Sequence, residues 1–350
     1  MPRFKIEKAP APVWFRTLIP FIAIVVTFIV TSLFIIWAKA NPFTAYYYFL
    51  IAPLSNPVSA IEVLVKGTPL LLTGAAVTFA FASGYYNIGA EGQLLAGAIA
   101  AAGLGMVLGP LPALLNIPIM LIGGFAAGVL WALIPALLKV KLAVDEVVTT
   151  LLMNTIILFF ISWLLNGYWR DPVSHQPQSA TIAATTMFPK LVLRSRLHVG
   201  FIVAVLVIIS IYFVIKRTAL GLQMRSVGLG KDAARFSGVK VGRTMLIAAL
   251  ISGGIAGLAG VGEVAGIHFH LIREISPGYG YTGIIAATLG GLNPLGVGLA
   301  ALFIGLIDTG AQTVSSAMGI PIYLGNVVQA TLLLVTLSMF TLQNYRIKRV

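Results

Sequence analysis

The stretch "GYYNIGAEGQLLAG", Gly84 to Gly97, sets an asparagine, a glutamate and a glutamine inside a chain that otherwise reads as lipid-soluble. Apolar runs flank and overlap it, 61–82 before and 88–108 after. Each is close to the ~20 residues that carry a helix across a hydrocarbon core of about 30 Å. The stretch is therefore a break between two membrane spans. It opens at Ser83-Gly84 and closes with a new helix whose first turn holds Glu91.

Outward from that break, similar runs recur at 18–38, 113–138, 145–166, 198–216, 244–266, 279–292, 294–315 and 321–341. Of the 350 residues 59% are hydrophobic and 9% charged, where a soluble domain carries about a quarter charged. The alternating segments of a membrane barrel are missing. The expected fold is all-α, a polytopic transmembrane bundle of about ten helices in one domain. Its parts are an N-terminal segment 1–17, a membrane domain 18–341 that includes a basic connection 217–243, and a tail 342–350. Segment 279–292 is short for an upright crossing, and a broken, re-entrant or slanted helix inside the bundle is expected there.

The chain has no cysteine, which excludes disulfides and thiolate metal sites. Its net charge of +13 sits in short loops beside spans, the mark of insertion topology and not of a nucleic-acid surface. With the N-terminus inside, sixteen of the 23 lysines and arginines fall on the cytoplasmic side, so both termini are expected there. Ala38-Lys39-Ala40 imitates a signal-peptidase site, but the apolar run before it exceeds the usual 7–15 residues, so it reads as an uncleaved anchor.

Polar groups within the spans have two readings each. Glu91 either caps its helix, at about 0.3–1 kcal/mol, or lines a wet path with Asn87 and Gln93. In "VDEVVTTLLMNTI", Val144 to Ile156, the residues Glu146, Thr150 and Asn154 recur every fourth position and share one helix face. That stripe faces protein or water, as interhelical hydrogen bonding or as path. Together these six are the expected substrate path. Gly253-xxx-Gly257 and Gly262-xxx-Gly266 read as close helix contacts. Glu263 reads as a charge near the outer end of its helix, and His268, His270, Arg273 and Glu274, which follow it, read as a solvated outer loop. A metal held by His268 and His270 lacks further ligands, and Glu263 with His268 is the acid–base pair that a lipid-modifying enzyme would need. Asp308 is isolated in its span: a hydrogen-bonded group, or with Glu91 a proton site of a secondary carrier. No G-x-x-x-x-G-K-[ST], H-E-x-x-H or G-x-S-x-G occurs, so no catalytic residue is assigned, and any ATP is bound by another chain.

The connection "KRTALGLQMRSVGLGKDAARFSGVKVGR", Lys216 to Arg243, contains a short helix pattern over Lys231, Asp232, Ala233, Ala234, Arg235 and Phe236, stopped at Gly238. Insertion alone needs only the charges. A helix displaying Phe236 suggests a docking surface for a soluble partner.

Four stretches in order, "YNIGAEGQLLAG", "VDEVVTTLLMN", "GLQMRSVGLGKDAARFSGV" and "YGYTGIIAATLGGLNPLGV", resemble permease subunits of bacterial ABC importers in the ribose, branched-chain amino-acid and nucleoside branch. The forms "NIGAEGQ" and "DEVVTTLLMN" look most like nucleoside permeases that work with a basic-membrane-lipoprotein type binding protein. The resemblance implies a type II importer fold in the bacterial inner (plasma) membrane, a second permease chain, an extracytoplasmic substrate-binding protein, and separate ATPase subunits that hold ATP and Mg. It implies no cofactor on this chain and no nucleic acid. It places ATPase coupling on Lys231 to Gly238, and nucleosides, a related simple sugar or branched-chain amino acids as the solute.

Overall fold

Three Asn-Pro pairs, Asn41-Pro42, Asn56-Pro57 and Asn293-Pro294, each begin a helix. The asparagine side chain accepts first-turn N–H groups while proline takes the first helical position. A computed structural model describes the backbone of residues 4–8, 13–342 and 345–349, and the side chains of 18–339.

Every expected span is a helix: α1 (Val13–Trp37), then after two short helices α2 (Pro42–Tyr46) and α3 (Ala52–Ser55), α4 (Pro57–Phe81), α5 (Ala90–Val107), α6 (Ala113–Leu142), α7 (Glu146–Asn166) and α8 (Gly200–Arg217). Two connecting helices follow, α9 (Ala219–Leu229) and α10 (Lys231–Phe236), before α11 (Val241–Gly262), α12 (Tyr279–Leu289), α13 (Pro294–Met318) and α14 (Leu324–Leu342). Among the described residues eight helices are long and apolar enough to cross a membrane. The chain is a multi-pass membrane protein.

Residues 39–56, between the first two expected spans, hold α2, α3 and a π-helical turn, Tyr47–Ile51, between them. The aromatic run Tyr46 to Phe49 is too short to span, so its pattern carried no helix signal. Tyr46 donates to the Phe28 carbonyl at 2.5 Å, and Phe49 is fully buried against Gly310 of α13.

Two four-helix halves exchange partners in the same way. In the first half α4 runs antiparallel to α13, with Gly74 against Val297, Gly67 against Leu302 and the Val63 carbonyl against Gly305. In the second, α11 runs antiparallel to α6, with Gly253 against Gly128 and Ala132, and Gly257 against Gly124. Likewise α12 packs on α4 at Gly283 and Thr73, while α5 packs on α11 at Gly97 and Gly257. The halves α4–α7 and α11–α14 are thus inverted counterparts, the arrangement of many transporters.

A Cβ on Gly97 would stand 2.0 Å from the Gly257 carbonyl oxygen, and one on Gly128 would stand 2.1 Å from that of Gly253. Gly253 and Gly257 therefore do bring helices together. Gly266 instead packs on the ring of His198, as does Gly262 more loosely.

α12 has 11 residues, about 17 Å, too short to cross. The non-helical stretch 269–278 makes up the rest of that passage. Strand β1 (Phe4–Lys8) pairs antiparallel with β2 (Tyr345–Arg349), Phe4 opposite Arg349 and Ile6 opposite Ile347. This pair is an addition to the all-α expectation. It puts both chain ends on one side, which requires an even number of passages and counts the broken one as a crossing.

Replacing Gly257 by Val should lower the melting temperature of the detergent-solubilised protein by the equivalent of about 3 kcal/mol, because backbone blocks the new side chain. Gly298→Ala, whose Cβ meets nothing nearer than 3.8 Å, should be neutral or up to about 1 kcal/mol stabilising. Equal effects at both sites would dismiss the close-contact account.

Candidate solute route and coupling surface

After α4 the chain turns at Gly84, whose φ of +69° suits glycine, and doubles back without helical structure over 85–89. Ser252 of α11 donates to the Ala76 carbonyl at 2.6 Å and accepts from Asn87 Nδ2 at 2.9 Å. Ala76 lies five residues before the end of α4, so Asn87 has re-entered the bundle by about 8 Å. Unpaired backbone at such depth must find partners within the protein.

The expected path residues supply them. Asn87 accepts from Gly89 N at 2.9 Å and exchanges two hydrogen bonds with the Gln93 amide, at 2.8 and 3.1 Å. Thr150 accepts from Ile88 N at 3.3 Å. Asn154 accepts from Gly92 N at 2.8 Å and donates to the Ile88 carbonyl at 3.0 Å and to Tyr281 Oη at 3.1 Å. Glu146 accepts from Tyr86 N at 3.4 Å and forms an ion pair with Lys139. The helical spacing of Glu146, Thr150 and Asn154 lets one face of α7 stitch the whole break, and Asp145 caps that helix by accepting from Val147 N and Val148 N.

Glu91 does something the sequence did not reveal. Its carboxylate, 4% exposed, accepts the N–H of Gly280 at 2.6 Å. Gly280 is in the first turn of α12, and a Cβ there would lie 2.1 Å from Glu91 N. Two helix N-termini, one from each half, thus meet at one carboxylate. Positive helix ends favour an anion there. All six expected residues are buried together. Beside them, the buried Tyr85 Oη and Trp131 Nε1 have no hydrogen-bond partner.

On the basic side, α10 spans Lys231–Phe236, as the pattern indicated, and ends at Gly238 with φ +83°. Ala234 is buried against its neighbours while Phe236 is 95% exposed. Arg235 and Asp232 stand 3.7 Å apart one turn along. The preceding α9 went unnoticed because its pattern was read as loop. It presses on the break, since a Cβ on Gly228 would lie 2.6 Å from the Ala82 carbonyl oxygen.

At the opposite end the 167–199 loop caps the bundle. Ser179 N donates to the Leu271 carbonyl, Ile182 N to that of Phe269 and Phe188 N to that of Ala265, at 2.8–2.9 Å. His198 is buried under this cap, accepts from Gly200 N at 3.1 Å, and is held down to about 4 by burial.

Beneath the cap lies a cavity of about 270 Å³ lined by Glu62, Lys66, Arg196, Glu263, His268 and Tyr279 among others. Arg196 pairs with both oxygens of Glu62. His268 Nε2 stands 3.6 Å from Glu263 Oε2, and Lys66 Nζ donates to the Asp308 carbonyl at 3.1 Å. Glu263, expected as a charge near the outer end of its helix, is 5% exposed and lines this cavity. Asp308 is bonded to Gln329 of the next helix. Glu62 and Lys66 were missed, although two charges four apart within an apolar run are a signal of a polar interior face.

Residues 59–337 match the family described as branched-chain amino acid transport system / permease component. The chain is similar to the glucose ABC transporter permease protein TsgB13 of Haloferax volcanii, 32% identical over 96% of this chain and 91% of the relative. It is 35% identical to the guanosine ABC transporter permease protein NupP of Bacillus subtilis, over 81% and 82% of the two chains. With the nucleoside ABC transporter permease protein NupB of Lactococcus lactis it shares 31% identity over 91% and 90%. No solved structure matches significantly.

Two measurements check this geometry. Asn154→Leu orphans the buried Gly92 N–H and Ile88 carbonyl, and should cost about 2–4 kcal/mol in melting experiments; an unchanged melting temperature would show that α7 does not support the break. His198 binds its proton less readily folded, near 4, than unfolded, near 6.5. Its contribution is complete above pH 6.5 and drains away as pH falls toward 4, by at most about 3 kcal/mol. The loss of stability over that window should be shallower in His198→Asn.

Proposed function

The chain belongs to the permease family of branched-chain amino acid type transport systems, and on that footing we propose that it is the membrane subunit of an ATP-driven importer for nucleosides or a related simple sugar. The 35% identity to a guanosine permease across most of both chains carries this reading, and the glucose and nucleoside permeases among its relatives support the same neutral, hydroxyl-rich solute class. The subunit performs no chemistry. ATP and Mg belong to partner ATPases, a substrate-binding protein delivers the solute outside, and a second permease chain, identical or related, completes a type II importer in the plasma membrane. Both termini and the 217–243 connection are cytoplasmic.

The coupling surface is α10, Lys231 to Phe236 with its stop at Gly238. It is exposed for docking, and through α9 it abuts the turn at Ala82 to Gly84 that begins the break. ATPase closure moves this pair, and the break moves with it. Asn87, Glu91, Gln93, Glu146, Thr150 and Asn154 are shut off here and become wall of the route when the bundle switches between its outward and inward openings. The unpaired Tyr85 and Trp131 groups, each costing about 1–3 kcal/mol while unsatisfied, then gain partners.

In proteoliposomes holding the full complex, Phe236→Asp should abolish ATP-dependent guanosine uptake and ATPase co-purification, while the permease still inserts and melts normally. Uptake by this chain alone under a proton gradient, without ATP, would replace the proposal with a secondary carrier using Asp308 and Glu91.

A further inference from the structure

The cavity under the cap has no part in the break before α5 or in coupling, and its chemistry is specific. Its deeper wall is formed by Glu263, Lys66 and Tyr279, and its rim by Arg196 and Gln312. Glu62 and Gln312 also line an adjoining cavity of about 490 Å³. This size suits a small molecule.

Its polar groups are only partly committed. Arg196 and Glu62 neutralise each other. The 3.6 Å between His268 and Glu263 exceeds a good hydrogen bond, which leaves the carboxylate able to accept from a hydroxyl. Among the described residues Lys66 Nζ makes one hydrogen bond, to a carbonyl, of the three it can donate. The lining therefore offers separate donors and acceptors, the complement of a solute that carries several hydroxyl groups. Phosphates are poorly served: they would meet the carboxyl groups of Glu62, Glu263 and Glu274, with only Lys66 and Arg196 as fixed cations, and Arg196 is already paired with Glu62. A phosphorylated solute adds about −1.5 to −2, and the poorly screened interior amplifies the resulting repulsion.

We infer that this cavity is a holding station on the permease itself for an unphosphorylated, hydroxyl-rich solute, entered from the capped end before the route opens, and that it rejects the phosphorylated form of the same solute. The inference rests on the proposed nucleoside or sugar import. Its position supports a waiting role. Tyr279 in the cavity wall is the first residue of α12, and the next residue, Gly280, is the one held by Glu91.

The chain's lack of cysteine gives a direct test. In the reconstituted complex with its ATPases, Gln312→Cys is alkylated in the presence of guanosine or guanosine monophosphate, and Ser174→Cys on the cap serves as control. Millimolar guanosine should slow modification at position 312 several-fold and leave position 174 unchanged, while the monophosphate should protect neither. Adding Lys66→Met should raise the half-protecting guanosine concentration about tenfold, the loss of one charge-assisted hydrogen bond. Import of guanosine without protection at 312 overturns the station alone, as do equal protection by the monophosphate and equal slowing at 174. A correctly assembled complex that imports no guanosine overturns the solute assignment and this inference together.

Discussion

A single carboxylate holds the two halves of this protein at their most vulnerable point. Breaking a helix inside a bilayer exposes backbone N–H groups that lipid cannot satisfy, and this chain has two such breaks. Glu91 stands where the two meet, as the acid in the first turn of α5 and as acceptor for the first turn of α12. Two positive helix ends would repel if brought together bare. The Glu91 carboxyl between them satisfies the Gly280 N–H, and Gly280 allows the approach because it has no side chain. Everything else in the centre is arranged to keep that meeting dry and hydrogen-bonded, including the α7 stripe and the Asn87–Gln93 pair.

The breaks are also where the two ends of the molecule connect. The non-helical stretch before α5 starts against α9 on the basic side, where Gly84 and Gly228 touch. The stretch before α12 starts at the capped end, where Phe269 and Leu271 are bonded to the loop at Ile182 and Ser179. Each half-helix is thus tethered to one surface, and the two tethers run from opposite sides to the same carboxylate. A displacement at either surface is separated from the Glu91 contact by one non-helical segment, 85–89 on one side and 269–278 on the other.

Much of this was legible in the sequence, and the exceptions have physical causes. Run length located a helix at each of the ten expected spans because lipid demands long apolar segments, and the four-residue spacing in α7 identified a buried polar face. Helix α10 was readable from its terminators. What stayed hidden depends on partners far apart in the chain: Glu91 with Gly280, Glu62 with Arg196, Lys66 with Asp308. Local pattern gives a polar residue's burial but not its mate, so Glu263 could be placed near a helix end but not in the cavity it lines. The π-turn at Tyr47–Ile51 escaped because its stability comes from Phe49 against α13, a contact with no local signature.

The choice of glycine at the crossing points then becomes intelligible. Between α5, α6 and α11 the contact is backbone on backbone, at Gly97, Gly124, Gly128, Gly253 and Gly257. Such surfaces interlock few side chains, so a small slide or rotation requires little repacking, whereas interdigitated large residues would have to change rotamers together. The polar knot opposes this freedom, because separating Glu91 from Gly280 or Asn154 from Ile88 leaves buried groups unpaired at about 1–3 kcal/mol each. Low resistance along the helix contacts and high resistance at the knot confine motion to paths that carry the knot as a unit or hydrate it. A molecule that must open to a polar solute and close again needs both properties, and the sequence places them on adjacent turns of the same helices.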